Sequence, residues 1–188
     1  RTEVAGGRER SGHRRGLGMK QLWAPWRMTY IHQVSQKEGC VFCLKIRGDD
    51  PREALVLADT GHSVVMLNKY PYTNGHLLLA PKRHEKYLSN LSVDEYHDLN
   101  EALRRSIDIV QLSYNPGGIN LGMNLGKCAG AGIEDHLHWH VVPRWEGDNN
   151  FMPVLSETRV MPQHLLESYD QLKLHFENFP HETRKENS

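Results

Sequence analysis

The amino-acid sequence predicts an α+β fold, and three features carry this prediction. Short apolar runs bounded by turn residues indicate β-strands at 54–59, 62–69, 76–81 and 119–123. Residues 92–114 repeat apolar side chains at helical spacing, which indicates a long amphipathic helix. At 136–142 histidines alternate with apolar residues, which indicates a further strand. A chain of 188 residues suffices for one domain with a sizeable core and extensions.

The ends of the chain differ in composition from its body. Residues 1–18 are rich in Gly and Arg and lack apolar periodicity, which predicts a disordered or non-native extension before Met19. We expect the folded domain, with its extensions, at 19–180 and a polar tail at 181–188. Near the start, a short helix is predicted from Pro25 to about Val34.

The central elements are delimited by local signals. Thr60-Gly61 predicts a hairpin turn between the first two strands. Ser92 and Glu95 have the spacing of a capping box, which predicts the start of the long helix. Its apolar positions are Tyr96, Leu99, Leu103, Ile107, Val110 and Tyr114, and Asn115-Pro116-Gly117-Gly118 ends it. A last helix, from Pro162 to before Pro180, has the apolar stripe Leu165, Tyr169, Leu172 and Phe176.

Charge and cysteine usage exclude several classes of protein. The chain has 23 basic and 23 acidic residues, and the first 20 residues hold six Lys/Arg and two Glu. The remainder is therefore mildly acidic, which argues against general nucleic-acid binding. No apolar run approaches the roughly 18–20 residues of a membrane span, and no signal peptide is visible. Three cysteines, two of them in C-x-x-C, fit the reducing cytoplasm.

The histidine-rich strand is the strongest functional signal. On a strand, His136, His138 and His140 share one face, and the apolar residues between them share the other. We expect Pro143 to end this strand because proline cannot donate to a ladder. The alternative is a half-buried strand with incidental histidines, which their strict alternation disfavours.

Two other segments carry chemistry. Cys40 and Cys43 have the spacing of a zinc knuckle or of a thiol-redox pair. No strand signal precedes Cys40, so we favour metal, which leaves two ligands to be found. The glycine-rich loop 124–135 precedes the histidine strand, and its backbone N–H groups predict a phosphate cradle rather than a plain flexible loop. It is not a Walker loop.

The histidines fit two kinds of catalysis. A pair of histidines two residues apart on a strand can bind a catalytic metal, but that site needs a third ligand and leaves the glycine loop unexplained. The alternative is one imidazole that attacks phosphorus. Such a nucleophile has a lone pair on one nitrogen, while its other nitrogen donates to a fixed acceptor such as a backbone carbonyl.

Residues 136–142 resemble the signature of the histidine-triad (HIT) superfamily, in which three histidines alternate with apolar residues. Asn68, Asn74-Gly75-His76 and Pro81-Lys82-Arg83-His84 resemble its upstream elements. The ends, Trp23-Ala24-Pro25-Trp26-Arg27 and 148–153, resemble the bacterial branch related to diadenosine tetraphosphate phosphorylases. The resemblance implies an antiparallel sheet of about five strands with packed helices, commonly paired in a homodimer. The aromatic segment 22–31 and the last helix are our candidates for extra interface.

The resemblance also implies a role for each matched residue. His138 would attack the α-phosphorus of a dinucleoside polyphosphate and form a nucleotidyl-histidine intermediate, and His140 would contact the phosphate. Asn68 would bind the sugar, and the phosphates would lie against Asn124, Gly130, Ala131, Gly132 and Ile133. Gly132 departs from the family, because many members carry a glutamine there.

A zinc site follows from the same resemblance. Structural zinc would be held by Cys40, Cys43, His84 and His136. Mg²⁺ is possible but no site implies it. The resemblance leaves phosphorolysis and hydrolysis open, and also an adenosine phosphoramidase or nucleotidyltransferase activity. A non-catalytic, zinc-stabilised nucleotide-binding module is the alternative of another class.

Overall fold

The computed structural model describes residues 39–148 and 163–177. Several predictions lie outside these ranges: the extension 1–18, the short helix from Pro25, the aromatic segment 22–31 and the tail 181–188. The proposed boundaries of the domain therefore stay predictions. The last helix begins at Leu165, after its N-cap His164, and not at Pro162 as predicted.

The described residues form one antiparallel sheet with helices packed against it. The elements are α1 (Val41–Ile46), α2 (Pro51–Ala54), β1 (Val56–Asp59), β2 (Ser63–Leu67), β3 (Leu77–Pro81), α3 (Val93–Tyr114), β4 (Gly118–Met123), β5 (Trp139–Arg144) and α4 (Leu165–Phe176), with short 3₁₀ turns at Leu88–Asn90 and Lys127–Ala129. The five strands have the order β1-β2-β3-β5-β4, and every neighbouring pair is antiparallel. The predicted α+β fold with a five-stranded antiparallel sheet is confirmed.

Local sequence signals explain most element boundaries. The capping box of α3 is present, with the Glu95 amide donating to Ser92 Oγ and the Ser92 amide donating to Glu95 Oε2. The first strand begins later than predicted, at Val56, because residues 51–54 form the helical turn α2. Asp50 caps that turn by accepting from two backbone amides, and Pro51 takes its first position.

The two faces of the sheet bury different clusters. The larger cluster lies between the sheet and helices α3 and α4, and includes Leu57, Leu79, Leu99, Val141 and Leu172. The smaller one, on the opposite face, consists of Phe42, Val64, Met66 and Ala80, with Cys40 and Ile133 packed against it. The stripe Tyr169, Leu172 and Phe176 of α4 is buried in the larger cluster. That stripe is therefore used within the domain rather than left open for a second subunit.

The histidine strand differs from its prediction at both ends. β5 begins at Trp139 rather than at residue 136, because the Leu137 amide donates to the Glu85 carbonyl at 2.6 Å instead of joining the ladder. Pro143 does not end the strand, which continues to Arg144. Its carbonyl accepts from Thr73 Oγ1, on the side where β3 no longer pairs with β5. Since N and O of one strand residue point to the same side, proline there removes no ladder bond.

Candidate functional site

The four predicted metal ligands lie together at the N-terminal end of α1. Cys40 precedes the helix and Cys43 lies in its first turn, so that both sulfurs face His84, after β3, and His136, before β5. Nδ1 of His136 lies 3.2 Å from Cys40 Sγ and 3.7 Å from Cys43 Sγ, and Nδ1 of His84 lies 3.4 Å from Cys43 Sγ. All four ligand atoms lie within 4.8 Å of one another.

These separations and the donor types suit a tetrahedral zinc ion. With Zn–S of about 2.3 Å and Zn–N of about 2.0–2.1 Å, a tetrahedron separates sulfur from nitrogen by about 3.5 Å. Nε2 of His136 donates to the Pro81 carbonyl at 2.8 Å, so its Nδ1 carries the lone pair that faces the cysteines. Burial lowers the pKa of His136, which favours this neutral form, and burial raises the pKa of the Cys40 thiol. A bound cation would offset that second effect by stabilising the thiolate.

The ring of His138 is held in one tautomer. Its Nδ1 lies 2.8 Å from the carbonyl oxygen of His136, which can only accept, so Nδ1 donates and Nε2 keeps a lone pair. The side chain is 7% exposed and its ring packs at 4.9 Å from that of Phe42. Burial lowers the pKa of His138, so the imidazole stays neutral at neutral pH. A buried neutral imidazole with a free lone pair is a nucleophile.

Nε2 of His140 carries a proton, whereas Nε2 of His138 carries a lone pair. The amide of Tyr72 donates to Nδ1 of the buried His76 at 3.0 Å, so His76 carries its proton on Nε2. That Nε2 lies 3.0 Å from Nδ1 of His140, to which it donates. The proton of neutral His140 is therefore on Nε2, and the rings of His138 and His140 lie 5.0 Å apart. A lone pair and an N–H donor thus lie side by side.

His76 is a buried residue of the candidate site that the sequence did not single out. It appeared only inside the motif Asn74-Gly75-His76, without a role of its own. The available signal was a histidine at the start of an otherwise apolar strand, which is 0% exposed in the structure. Buried polar groups are hydrogen-bonded, so such a histidine points to an internal partner.

Asn68 lies beside the hydrogen-bond relay formed by the Tyr72 amide, His76 and His140. Its Oδ1 accepts from the Tyr70 amide at 2.9 Å, and its Nδ2 lies 3.3 Å from Nδ1 of His76. The structure thus shows Asn68 stabilising the loop after β2 and the ring of His76. Its contact with a sugar stays a prediction.

The glycine loop is only partly arranged as predicted. The amides of Gly130 and Ala131 donate to carbonyls of Lys127 and Gly126, at 2.9 Å and 3.3 Å, so both are used within the turn. Asn124 Nδ2 lies 3.4 Å from the Gly130 carbonyl. Among the described residues, the amides of Gly132 and Ile133 have no such partner, and Ile133 packs in the cluster of Phe42. Of the residues 130–133 predicted to hold phosphates, Gly132 and Ile133 therefore keep amides that remain candidate donors to a phosphate.

Comparison with known proteins identifies the family of this chain. The family model described as the HIT domain matches residues 51–147. AP-4-A phosphorylase of Mycobacterium tuberculosis is 34% identical over 160 residues, which are 79% of this chain and 82% of that protein. The chain belongs to the HIT family.

Other members are also similar. Adenosine 5'-monophosphoramidase hnt1 of Schizosaccharomyces pombe is 30% identical over 106 residues, which are 56% of this chain and 74% of that protein. The crystal structure of a Zn-bound histidine triad family protein from Mycobacterium smegmatis has a TM-score of 0.59 at 26% identity, and covers 75% of this chain and 95% of that chain. Among the described residues of this HIT protein, none of the helices is long and apolar enough to cross a membrane.

Proposed function

We propose that this HIT protein cleaves dinucleoside polyphosphates of the diadenosine tetraphosphate type through a nucleotidyl-histidine intermediate on His138. The observation that carries the proposal is the hydrogen bond from His138 Nδ1 to the His136 carbonyl, which leaves Nε2 as the attacking atom. A module that only binds nucleotides has no need of a buried nucleophile held in one tautomer. The tautomer thus favours turnover over binding alone.

The chemistry proceeds in two displacements at one phosphorus. Nε2 of His138 attacks the α-phosphorus, the P–O bond to the remaining polyphosphate breaks, and the released nucleoside polyphosphate takes the electron pair. In the second step water or inorganic phosphate attacks the same phosphorus and loses a proton to the solvent, and the P–N bond breaks with its electron pair returning to Nε2 of His138. Nε2–H of His140, set by His76, donates to an oxygen of the reacting phosphate as negative charge develops. The amides of Gly132 and Ile133 support the same charge.

The choice of substrate is supported by the relatives. The 34% identity to AP-4-A phosphorylase extends over most of both chains, whereas the likeness to the phosphoramidase covers about half of this one. We therefore place dinucleoside polyphosphates first and a phosphoramidate second.

The decisive experiment is intact-mass analysis of the protein after it has reacted with diadenosine tetraphosphate and the reaction has been quenched without acid. We expect an adenylyl adduct on the wild type and none on His138→Ala. Turnover by His138→Ala at the wild-type rate would refute the assignment. Products formed with and without phosphate distinguish phosphorolysis, which yields a nucleoside diphosphate, from hydrolysis. An adduct from an adenosine phosphoramidate, but none from the dinucleotide, would favour the second activity.

We also propose that Cys40, Cys43, His84 and His136 hold structural Zn²⁺. The donor set, the separations and the Zn-bound relative support this. Zinc would tie α1 to the two segments that flank the histidine site. The three free cysteines of the described residues, Cys128 included, support a reducing compartment such as the cytoplasm.

A homodimer is supported by the unequal edges of the sheet. At the β1 edge, carbonyls of Val56 and Leu57 accept from Tyr169 Oη and Lys173 Nζ of α4. At the other edge, β4 has β5 as its one neighbour among residues 39–148 and 163–177, and its Leu121 is 46% exposed. An open edge strand with exposed apolar residues is suited to pairing with a second copy. Sedimentation as a monomer at micromolar concentration would refute the dimer.

A further inference from the structure

The turn that follows metal ligand His84 also contacts the segment that carries the nucleophile. The carboxylate of Glu85 accepts four hydrogen bonds. Two come from the amides of Lys86, at 2.7 Å, and Tyr87, at 2.9 Å. The others come from Asn90 Nδ2, at 3.2 Å, and the guanidinium of Arg83, at 2.9 Å. These bonds explain why the pKa of Glu85 is lowered, chiefly through the Tyr87 amide. These four hydrogen bonds restrict the conformation of the Glu85 backbone and so orient its carbonyl group.

The backbone carbonyl of Glu85 is directed at the peptide between His136 and Leu137. It accepts from the Leu137 amide at 2.6 Å. The carbonyl of that same peptide unit, on His136, accepts from Nδ1 of His138 at 2.8 Å. A peptide unit is planar, so its N–H and C=O cannot turn independently. Holding the Leu137 N–H therefore also holds the oxygen that orients the nucleophile.

The neighbouring residue strengthens the same contact. Nζ of Lys86 lies 2.7 Å from Glu134 and 3.3 Å from Asp135, the two residues before His136. Glu85 and Lys86 thus contact the residues on both sides of His136, the proposed metal ligand. Arg83 anchors the turn from the other end, since it bonds Glu95 in the first turn of α3.

We propose that Glu85 is a positioning residue for His138. Its side chain fixes the turn, its carbonyl holds the His136–Leu137 peptide, and that peptide keeps the proton of His138 on Nδ1 and the lone pair of Nε2 directed at the substrate. The proposal rests on the proposed nucleophilic role of His138, and it makes Glu85 act without touching substrate or metal.

The test compares Glu85→Ala with Glu85→Gln and with Glu101→Ala in the full zinc-loaded chain. Gln keeps an oxygen for the Lys86 and Tyr87 amides, and Glu101 is a control carboxylate that pairs with Arg104 and Arg105 on α3. The readouts are hydrogen exchange of the Leu137 amide without substrate, zinc content, and kcat and KM with diadenosine tetraphosphate.

In Glu85→Ala we expect the Leu137 amide to exchange about tenfold faster and kcat to fall about tenfold at unchanged KM and zinc content. Glu85→Gln restores most of both, and Glu101→Ala changes neither. Unchanged Leu137 exchange in Glu85→Ala overturns the proposal, as does faster exchange with unchanged kcat. Loss of zinc in parallel with Leu137 protection also overturns it, because the side chain would then act on the metal cluster. If the wild type forms no adduct, the proposed function fails while the exchange result still reports on the contact.

Discussion

Replacement of His76 by Phe tests the hydrogen-bond relay that directs the proton of His140. Phe has a similar volume but neither accepts nor donates, so the Tyr72 amide loses its acceptor and His140 Nδ1 loses its donor. His76 is 0% exposed, so water does not readily replace these partners.

The magnitude follows from the hydrogen bonds that the substitution removes. Loss of a buried hydrogen-bond partner costs about 1–3 kcal/mol. His76 contacts the Tyr72 amide, His140 Nδ1 and Asn68 Nδ2, and the apolar ring offsets part of their loss, so we expect a decrease of about 2–4 kcal/mol in the free energy of unfolding. Removal of one oriented donor to a developing oxyanion lowers kcat by about 10²–10³-fold. In His76→Phe, His140 remains in place but its proton is no longer held on Nε2. We therefore expect a smaller decrease in kcat, of about 10- to 100-fold.

The assays are urea denaturation and steady-state kinetics with diadenosine tetraphosphate, below the temperature at which the variant unfolds. His62→Phe, at an exposed position in the β1–β2 hairpin, is the matched control. A His76→Phe protein that is destabilised as expected, yet keeps kcat within about twofold of wild type, would refute a role of His76 in catalysis.

Three further predictions concern stability. Cys43→Ser should lower the zinc content of purified protein and its Tm, with Cys128→Ser, an exposed cysteine, as control; equal zinc in both variants would contradict the proposed ligands. Arg83 lowers the pKa of Glu95 to about 2, so the pair stabilises the fold above about pH 4.5 and loses this as pH falls toward 2. Glu95→Gln should flatten that pH dependence by about 1 kcal/mol, since Arg83 is half exposed; an unchanged acid-unfolding profile would argue against it. Gly75→Ala should destabilise by about 1–3 kcal/mol in thermal unfolding, because Gly75 has φ +70° and a Cβ would meet the Tyr114 ring at 2.6 Å, whereas Gly118→Ala should be near neutral.

Elements specified by neighbouring residues were predictable. The capping box of Ser92 and Glu95 starts α3 where expected, and the hairpin at Thr60 closes with its amide donating to the Ser63 carbonyl. The first strand was predicted to begin at residue 54, which instead ends the helical turn 51–54 that Asp50 and Pro51 start.

The site was predictable in its residue types but not in its hydrogen bonding. The C-x-x-C pair indicated a metal and left two ligands open, which the family resemblance assigned to His84 and His136 and the geometry brings together. The glycine loop was predicted as a cradle of backbone amides, yet Gly130 and Ala131 donate within their own turn. Composition reports that a loop can adopt unusual dihedrals, not which of its amides remain free.

By itself, the sequence determined which chemical groups are present and that the three histidines alternate with apolar residues. Only the tertiary structure decided that His138 presents a lone pair and His140 a proton. It also decided that β5 begins at Trp139, after the peptide held by Glu85. The physical reason is that the tautomer of a histidine depends on the partner of its second nitrogen. For His140 that partner is His76, which approaches it only once β3 and β5 have paired.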